Sequence, residues 1–235
     1  MKQEIIRIDL NGVNCYLGKE GANFILFDTG GHLFVDKNFS NRRELLEKEL
    51  ENYGCHAGNL NLIVLTHGDN DHVANAAFLR NKYNTKIAMH LSDVELVDNP
   101  SLEKILGNCH YNSLIYKIIF KLIKNQIKKL SQKTLEDFES FKPDITIDEN
   151  YSLSEYGFSA KVLHLPGHTS GSIGILTANN DIIIGDTLTN VKKPAPAPNA
   201  TDFKALAKSV DKLRTIDINT VYPGHGTPFE MKEFI

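Results

Sequence analysis

The chain has 235 residues, 41% hydrophobic and 23% charged, with a formal net charge of −3. That length can bury a large core and fits one α/β domain. The charge offers no general means of holding a phosphate backbone, so nucleic acid is not an expected partner. No run of about 18 apolar residues exists to span a bilayer. Arg7 and Asp9 interrupt the first apolar stretch, where a secretory core would lie, so a soluble, cytoplasmic protein is expected. Cys15, Cys55 and Cys109 are odd in number, far apart and form no CxxC, which argues against a disulfide framework or a zinc knuckle. They are expected to be small buried thiols.

In chain order, Ile5 to Ile8, Val13 to Leu17 and Phe24 to Phe27 are short strand candidates with glycines between them, the pattern of an antiparallel meander. Asp28 closes the third strand, as a turn-former or as a partner of a nearby metal ligand. Ser40 is positioned to cap a helix from about Asn41 to Tyr53, with Gly54 as its stop. The run Leu62 to Leu65 is apolar throughout, as a strand covered on both faces would be. Apolar residues at helical spacing follow from Val73 to Tyr83, then a strand at Ile87 to Met89. Ser92-Asp93-Val94-Glu95 has the form of a capping box. This strand–helix–strand order indicates a crossover unit in a sheet with outer helices.

Between about residues 100 and 143 the pattern changes. Leu114, Ile115, Ile118, Ile119, Leu122, Ile127 and Leu130 recur at helical spacing, lysines fill the intervening positions, and no acid lies between Tyr111 and Lys133. Such a basic amphipathic helix could be an insertion packed on the body, a lid bringing positive charge to an anionic substrate, or a docking surface. Strands return at Ile145 to Ile147, Phe158 to Leu165, Ser172 to Thr177 and Ile182 to Ile184, with a hairpin at Asn179-Asn180-Asp181. The alternating prolines and alanines of 194–198 read as a stiff surface loop. A helix capped by Thr201 or Asp202 and a strand near Asn219 to Tyr222 complete the chain, so both halves show strands followed by helix.

Several strand ends finish in the same chemistry. His67, Asp69, Asp71 and His72 follow one apolar strand, His168 a second, Asp186 a third and His225 the last. Imidazole and carboxylate are ligands that divalent zinc, iron or manganese accept, and a neighbouring glycine lets backbone approach closely. One such fragment means little; four at strand ends point to a metal.

With these residues in view, the sequence resembles the metallo-β-lactamase fold hydrolases, a superfamily that includes glyoxalase II, the lactonases and ribonuclease Z. Their HxHxDH motif reads here His67-Gly68-Asp69-Asn70-Asp71-His72, with His168, Asp186 and His225 downstream. The resemblance implies an α/β fold, a four-layer αββα sandwich of two mixed sheets, with the 100–143 insertion in a single domain spanning residues 1–235. It also implies two divalent ions, zinc first, with manganese or iron as alternatives. His67, position 69 and His168 would take one ion; Asp71, His72 and His225 would take the other; Asp186 would bridge. Asp71 would also orient the nucleophile, and Asp28 and Thr66 would stand behind the ligands.

Asp69 departs from the motif, which has histidine there. A third carboxylate with a bridging hydroxide would neutralise two divalent ions and favour harder metals; alternatively, Asp69 misses the metal and the site holds one ion. His32, His56, His90, His110 and His164 match no ligand position and are expected to be structural or exposed, His32 and His110 lying nearest the pocket. The expected function is hydrolysis of an ester, thioester or lactone of a small molecule by metal-activated water. The chain runs only ten residues past His225, leaving no room there for a glyoxalase II helical domain. A mononuclear-iron oxidoreductase resembling the persulfide dioxygenases, or a metal-binding protein without catalysis, are the rival readings. An oligomer is compatible with each.

Overall fold

A computed structural model describes residues 2–33, 39–107 and 110–234. Its strands form two large sheets. β1 (Gln3–Asp9), β2 (Asn14–Glu20), β3 (Asn23–Phe27), β4 (Leu60–Val64), β5 (Ile87–His90) and β6 (Ile145–Ile147) hydrogen-bond in that order. The first two junctions are antiparallel and the last three parallel. The second half supplies β7 (Ala160–His164), β8 (Ile173–Thr177), β9 (Ile182–Gly185), the short pair β10 (Leu188–Thr189) and β11 (Ala195–Pro196), then β12 (Thr220–Pro223) and β13 (Phe229–Glu230). The second sheet runs β13-β12-β9-β8-β7, parallel only between β9 and β12.

Side-chain alternation explains the layers. In β3 and β4, Ile25, Phe27, Leu62 and Val64 point one way and meet Phe158, Val162, Ile175 and Ile183 of the other sheet. Phe24, Leu26 and Ile63 point the other way, beneath Leu46 and Leu50 of α1 (Arg43–Asn52). Ile182, Ile184 and Val221 likewise face away from the sheet interface and are covered by Leu206, Val210 and Leu213. These belong to the last helix. Both faces of these central strands are therefore buried, which is why they read as unbroken apolar runs. The result is helix, sheet, sheet, helix, the expected sandwich. Truncating one of these fully buried leucines or isoleucines to alanine should cost roughly 2–5 kcal/mol.

The two halves repeat a plan. The β1-β2-β3 meander is followed by α1 and by β4 parallel to β3; the β7-β8-β9 meander is followed by a helix and by β12 parallel to β9. Between the halves lie α2 (Asn70–Val73), α3 (Ala76–Tyr83), α4 (Val94–Asp98), α5 (Leu102–Gly107) and α6 (Leu114–Asp137); α7 (Phe203–Arg214) is the second crossover. Because each crossover joins parallel strands, the carboxyl ends of β3 and β4, and of β9 and β12, finish on the same edge.

Local expectations needed correction in four places. Ser40 does not cap α1: the helix begins at Arg43 behind Arg42 in a left-handed conformation (φ 58°), and the Ser40 hydroxyl accepts from the Arg42 amide two residues too early. The stretch Val73 to Tyr83 is not one helix, because Asn75 spends its amide on the carbonyls of Thr29 and Asn41 and separates α2 from α3. Ser92 to Glu95 is not a capping box; the His90 ring accepts from the Ser92 amide, and Asp93 turns inward. The Pro-Ala stretch is not simply surface loop, since Ala195–Pro196 pairs with Leu188–Thr189 and Ala197 is buried. Cys15 and Cys55 are buried free thiols; Cys109 lies outside the described residues.

Candidate metal centre

The carboxyl ends of five strands converge on one edge. β4 leads through Leu65 and Thr66 into His67–His72, β3 into Asp28, β7 into His168, β9 into Asp186 and β12 into His225. Cross-links between the sheets hold these ends in register. The Ile173 amide donates to the Thr66 carbonyl at 2.8 Å and the Asn14 amide to the Gly224 carbonyl at 2.8 Å. Close approach needs glycine at two of these ends. A Cβ on Gly185, whose φ is +48°, would lie 2.3 Å from Thr66 Oγ1; one on Gly224 would lie 2.2 Å from Asp186 Oδ1.

Two groups of donors result. In the first, Asp69 Oδ2 is 3.1 Å from His168 Nε2 and 3.9 Å from His67 Nε2. In the second, Asp71 Oδ2 is 3.3 Å from His225 Nε2 and 3.9 Å from His72 Nε2. Asp186 reaches both groups, with 3.2 Å to His225, 3.4 Å to His72 and 3.8 Å to His168. The three donor atoms of each group lie within 4.8 Å of one another, a spacing that could hold a metal ion. Asp69 occupies the N-cap position of α2, yet makes no capping bond and turns its carboxylate to His168 instead.

What stands behind each ring fixes its orientation. His72 Nδ1 donates to Asp28 Oδ2 at 2.9 Å. That same oxygen accepts from the Thr66 hydroxyl at 2.8 Å, whose own oxygen accepts from His67 Nδ1 at 3.0 Å. His168 Nδ1 donates to the Asn199 carbonyl and His225 Nδ1 to the Gly12 carbonyl. Each of the four rings therefore gives its Nδ1–H to a partner behind it and turns Nε2 inward, the nitrogen a metal would take once it is deprotonated. Nε2 of His67, Nε2 of His72 and Oδ1 of Asp186 are buried and find no hydrogen-bond partner among the described residues. Burying polar atoms unpaired is costly; a cation between them removes that cost, so the donor set fits divalent metal.

The electrostatics agree. Burial, with His72 and His168 nearby, lowers the His67 pKa to about 4, keeping it neutral. Burial opposes charge on His168 too, but the hydrogen bond and charge of Asp69 raise it to about 9. For Asp186, burial is outweighed by His225 and His72, which hold its carboxyl well below the usual range. A cluster this rich in carboxylate attracts positive charge whether it comes from protons or from metal.

A model of the metallo-β-lactamase superfamily matches residues 8–225. The chain belongs to that superfamily. Among its relatives is the hydroxyacylglutathione hydrolase GloC of Haemophilus influenzae, 24% identical over 97% of this chain and 92% of that one. Another is the β-lactamase-like protein 2 homolog of Drosophila melanogaster, 23% identical over 94% of this chain and 61% of that one. A metallo-β-lactamase family protein of Thermus thermophilus shares the fold at a TM-score of 0.70, 19% identity and 97% and 74% coverage. So does TTHA1623, crystallised in a di-iron-bound form, at 0.64, 22% and 97% and 95%.

This superfamily edge opens into a cavity of about 700 Å³, floored by Asp69, Asp71, His168, Asp186 and His225 and walled by α5, α6 and the 189–199 segment. His32 lines it, as its place in the sequence suggested; His110 is exposed and does not. His90 and His164 stack on each other at 4.0 Å, away from the donors. Sequence reasoning missed Asp93. This buried carboxylate accepts from the Gly68 amide at 2.8 Å, the Thr169 hydroxyl at 2.6 Å and the Gly171 amide at 2.7 Å, tying the His67–Asp69 turn to the turn bearing His168. Its signal was available: it follows β5, a neighbour of β4, at the same sheet edge. Asn14 was missed as well, and it donates to the Pro223 and Gly226 carbonyls on either side of His225.

Proposed function

We propose that this chain is a dinuclear metallohydrolase acting on the acyl carbonyl of a small thioester, ester or lactone, with the whole chain as one domain and residues 100–143 inserted in it. The observation that carries this reading is the gathering of four Nε2 atoms and three carboxylates in two adjoining groups at one sheet edge, with three of those donor atoms buried and without a hydrogen bond. His67, Asp69 and His168 would hold one ion, Asp71, His72 and His225 the other, with Asp186 between them. Zinc suits the imidazoles; the extra carboxylate of Asp69 widens the choice to manganese or iron(II). Two such ions activate a water for attack and polarise the carbonyl it attacks.

The protein's own residues do the rest. Asp71 accepts a hydrogen bond from the attacking water and so aims its lone pair; His72 and His225 pull its pKa down against burial, which keeps it an acceptor. Asp28 holds His72 in its tautomer. Asp93 holds the two turns of the first group together without touching substrate. The walls of the cavity, including Leu33, Leu96, Ile105 and Phe138, would exclude water around the acyl group. Thioesters stand first because GloC, similar over nearly all of this chain, is named a hydroxyacylglutathione hydrolase. The test is a panel of acyl thioesters, esters, lactones and phosphodiesters with chelated and zinc- or manganese-reloaded protein. Turnover of an acyl substrate that chelation abolishes and reloading restores supports the reading. Inactivity on every acyl substrate, or oxygen consumption with a persulfide, overturns it.

A further inference from the structure

The first half of α6 meets the body along one side only, where Tyr116 lines the cavity. Residues 112–126 are exposed apart from Phe120; Phe120 and Tyr116 rest on Tyr111 with ring centroids 5.5 and 5.9 Å away. The helix meets the rest of the chain further along, through buried Ile127, Ser131 and Thr134. Its outward residues are nonetheless aliphatic: Leu114 is 72% exposed, Ile115 68% and Leu122 79%, and Ile118, Ile119 and Ile123 are exposed with them. Single exposed leucines need no explanation; six within ten residues form a contiguous patch, and such patches mark interaction surfaces.

Helical geometry sorts the side chains around this rod. At about 100° per residue, those six aliphatics share roughly half of the circumference. Tyr116, Phe120 and Ile127 lie beside them on the side facing the cavity and the body. Lys117, Lys121, Lys124 and Lys128 fall on one narrow stripe along the remaining edge, and no acidic residue interrupts 111–133. The stripe therefore flanks the apolar face along its length, where lysines can lay their methylenes on apolar surroundings and keep their ammonium groups at a polar boundary.

We propose that this half of α6 is an interfacial anchor that docks the protein on an anionic membrane surface. Charge selects the occupant: a positively charged edge beside an aliphatic face matches a plane of anionic headgroups over acyl chains. A second copy packed antiparallel on this face would set the two lysine edges against each other, like charge on like. No helix among the described residues is long and apolar enough to cross a membrane, so the helix lies on the surface. The anchor adjoins the cavity. Tyr116 lines it from this helix, and exposed Val191, Lys192 and Lys193 line it from the opposite segment. Docking would bring that opening to the headgroup layer, where amphiphilic acyl substrates concentrate.

Co-sedimentation of the full-length, metal-loaded protein with vesicles tests this. Vesicles of equal parts phosphatidylcholine and phosphatidylglycerol should carry the protein down, pure phosphatidylcholine should carry far less, and added salt should weaken the difference. I118E/L122E and, separately, K117Q/K121Q/K124Q should each reduce partition roughly tenfold or more. All five positions are exposed and outside the donor groups, so circular dichroism and metal content should match the parent. Protein that stays in solution with the anionic vesicles overturns the proposal, as would pelleting that neither variant reduces. A parent dimer that I118E/L122E turns into monomer would overturn it too, by showing that a second copy covers this face.

Discussion

The two donor groups are alike in composition, each pairing one carboxylate with two imidazoles, but they are supported differently. Behind Asp71, His72 and His225 stands Asp28, whose carboxylate touches the His72 ring directly at 2.9 Å. Behind His67, Asp69 and His168 stands Asp93, which touches no ring and instead holds the backbone of the two turns. One buried carboxylate orients a donor ring; the other sets the distance between two donor turns. The comparison teaches that a buried acid beside a donor cluster acts through whichever atoms it bonds. Losing the first should weaken chiefly the ion its ring partner would hold; losing the second should loosen geometry and stability together.

Substitution of the residue shared by both groups has the largest effect. Asp186→Asn should lower metal content in both and cut activity by more than the 10–100-fold typical of an outer partner, measured by metal analysis beside turnover. Asp28→Asn should weaken the ion held at His72 by roughly 10–100-fold and the ion at His67, which Asp28 reaches only through the Thr66 hydroxyl, by less, giving two separated steps in a zinc titration; a uniform loss would erase the distinction between the groups. Asp93→Asn places an NH₂ against amide and hydroxyl donors. It should cost on the order of 1–3 kcal/mol, seen as a fall in Tm of roughly 2–4 °C per kcal/mol, and lower turnover with zinc stoichiometry intact. Asp69→His should shift the first group from manganese towards zinc in a competition experiment; unchanged preference and activity would show that Asp69 holds no ion.

The smallest effect is on the chelated protein. His168 is raised to about 9 by its bond to Asp69, above an unfolded value of about 6.5. A raised histidine contributes stability that is complete below the unfolded pKa and disappears as pH climbs through the folded one. The metal-free protein should therefore melt lower at pH 9.5 than at pH 6.5, by several degrees. The zinc-loaded protein should lack that step, because its imidazoles are already deprotonated.

The sandwich and the strand ends were legible because they rest on short-range pattern: unbroken apolar runs for strands buried on both faces, and a histidine or aspartate directly after each. Asp69 shows where pattern stops. Its place in the motif left open whether it joins a metal, and only folding brings its carboxylate to 3.1 Å from His168, 99 residues away. Asp93 was obscured for the same reason: its partners lie 25, 76 and 78 residues distant, while its immediate neighbours mimic a capping box. The amphipathic pattern of α6 located the helix correctly, but periodicity cannot tell an apolar face that packs inward from one left uncovered. The break between α2 and α3 escaped because it depends on carbonyls of Thr29 and Asn41, delivered by a distant loop.

Zinc titration of the chelated protein by calorimetry tests the centre most directly. Two ions should bind per chain, and Asp28→Asn should weaken the one held by His72 more than the other. Saturation at a single ion in the parent protein, or no binding at all, would contradict a centre built from two donor groups.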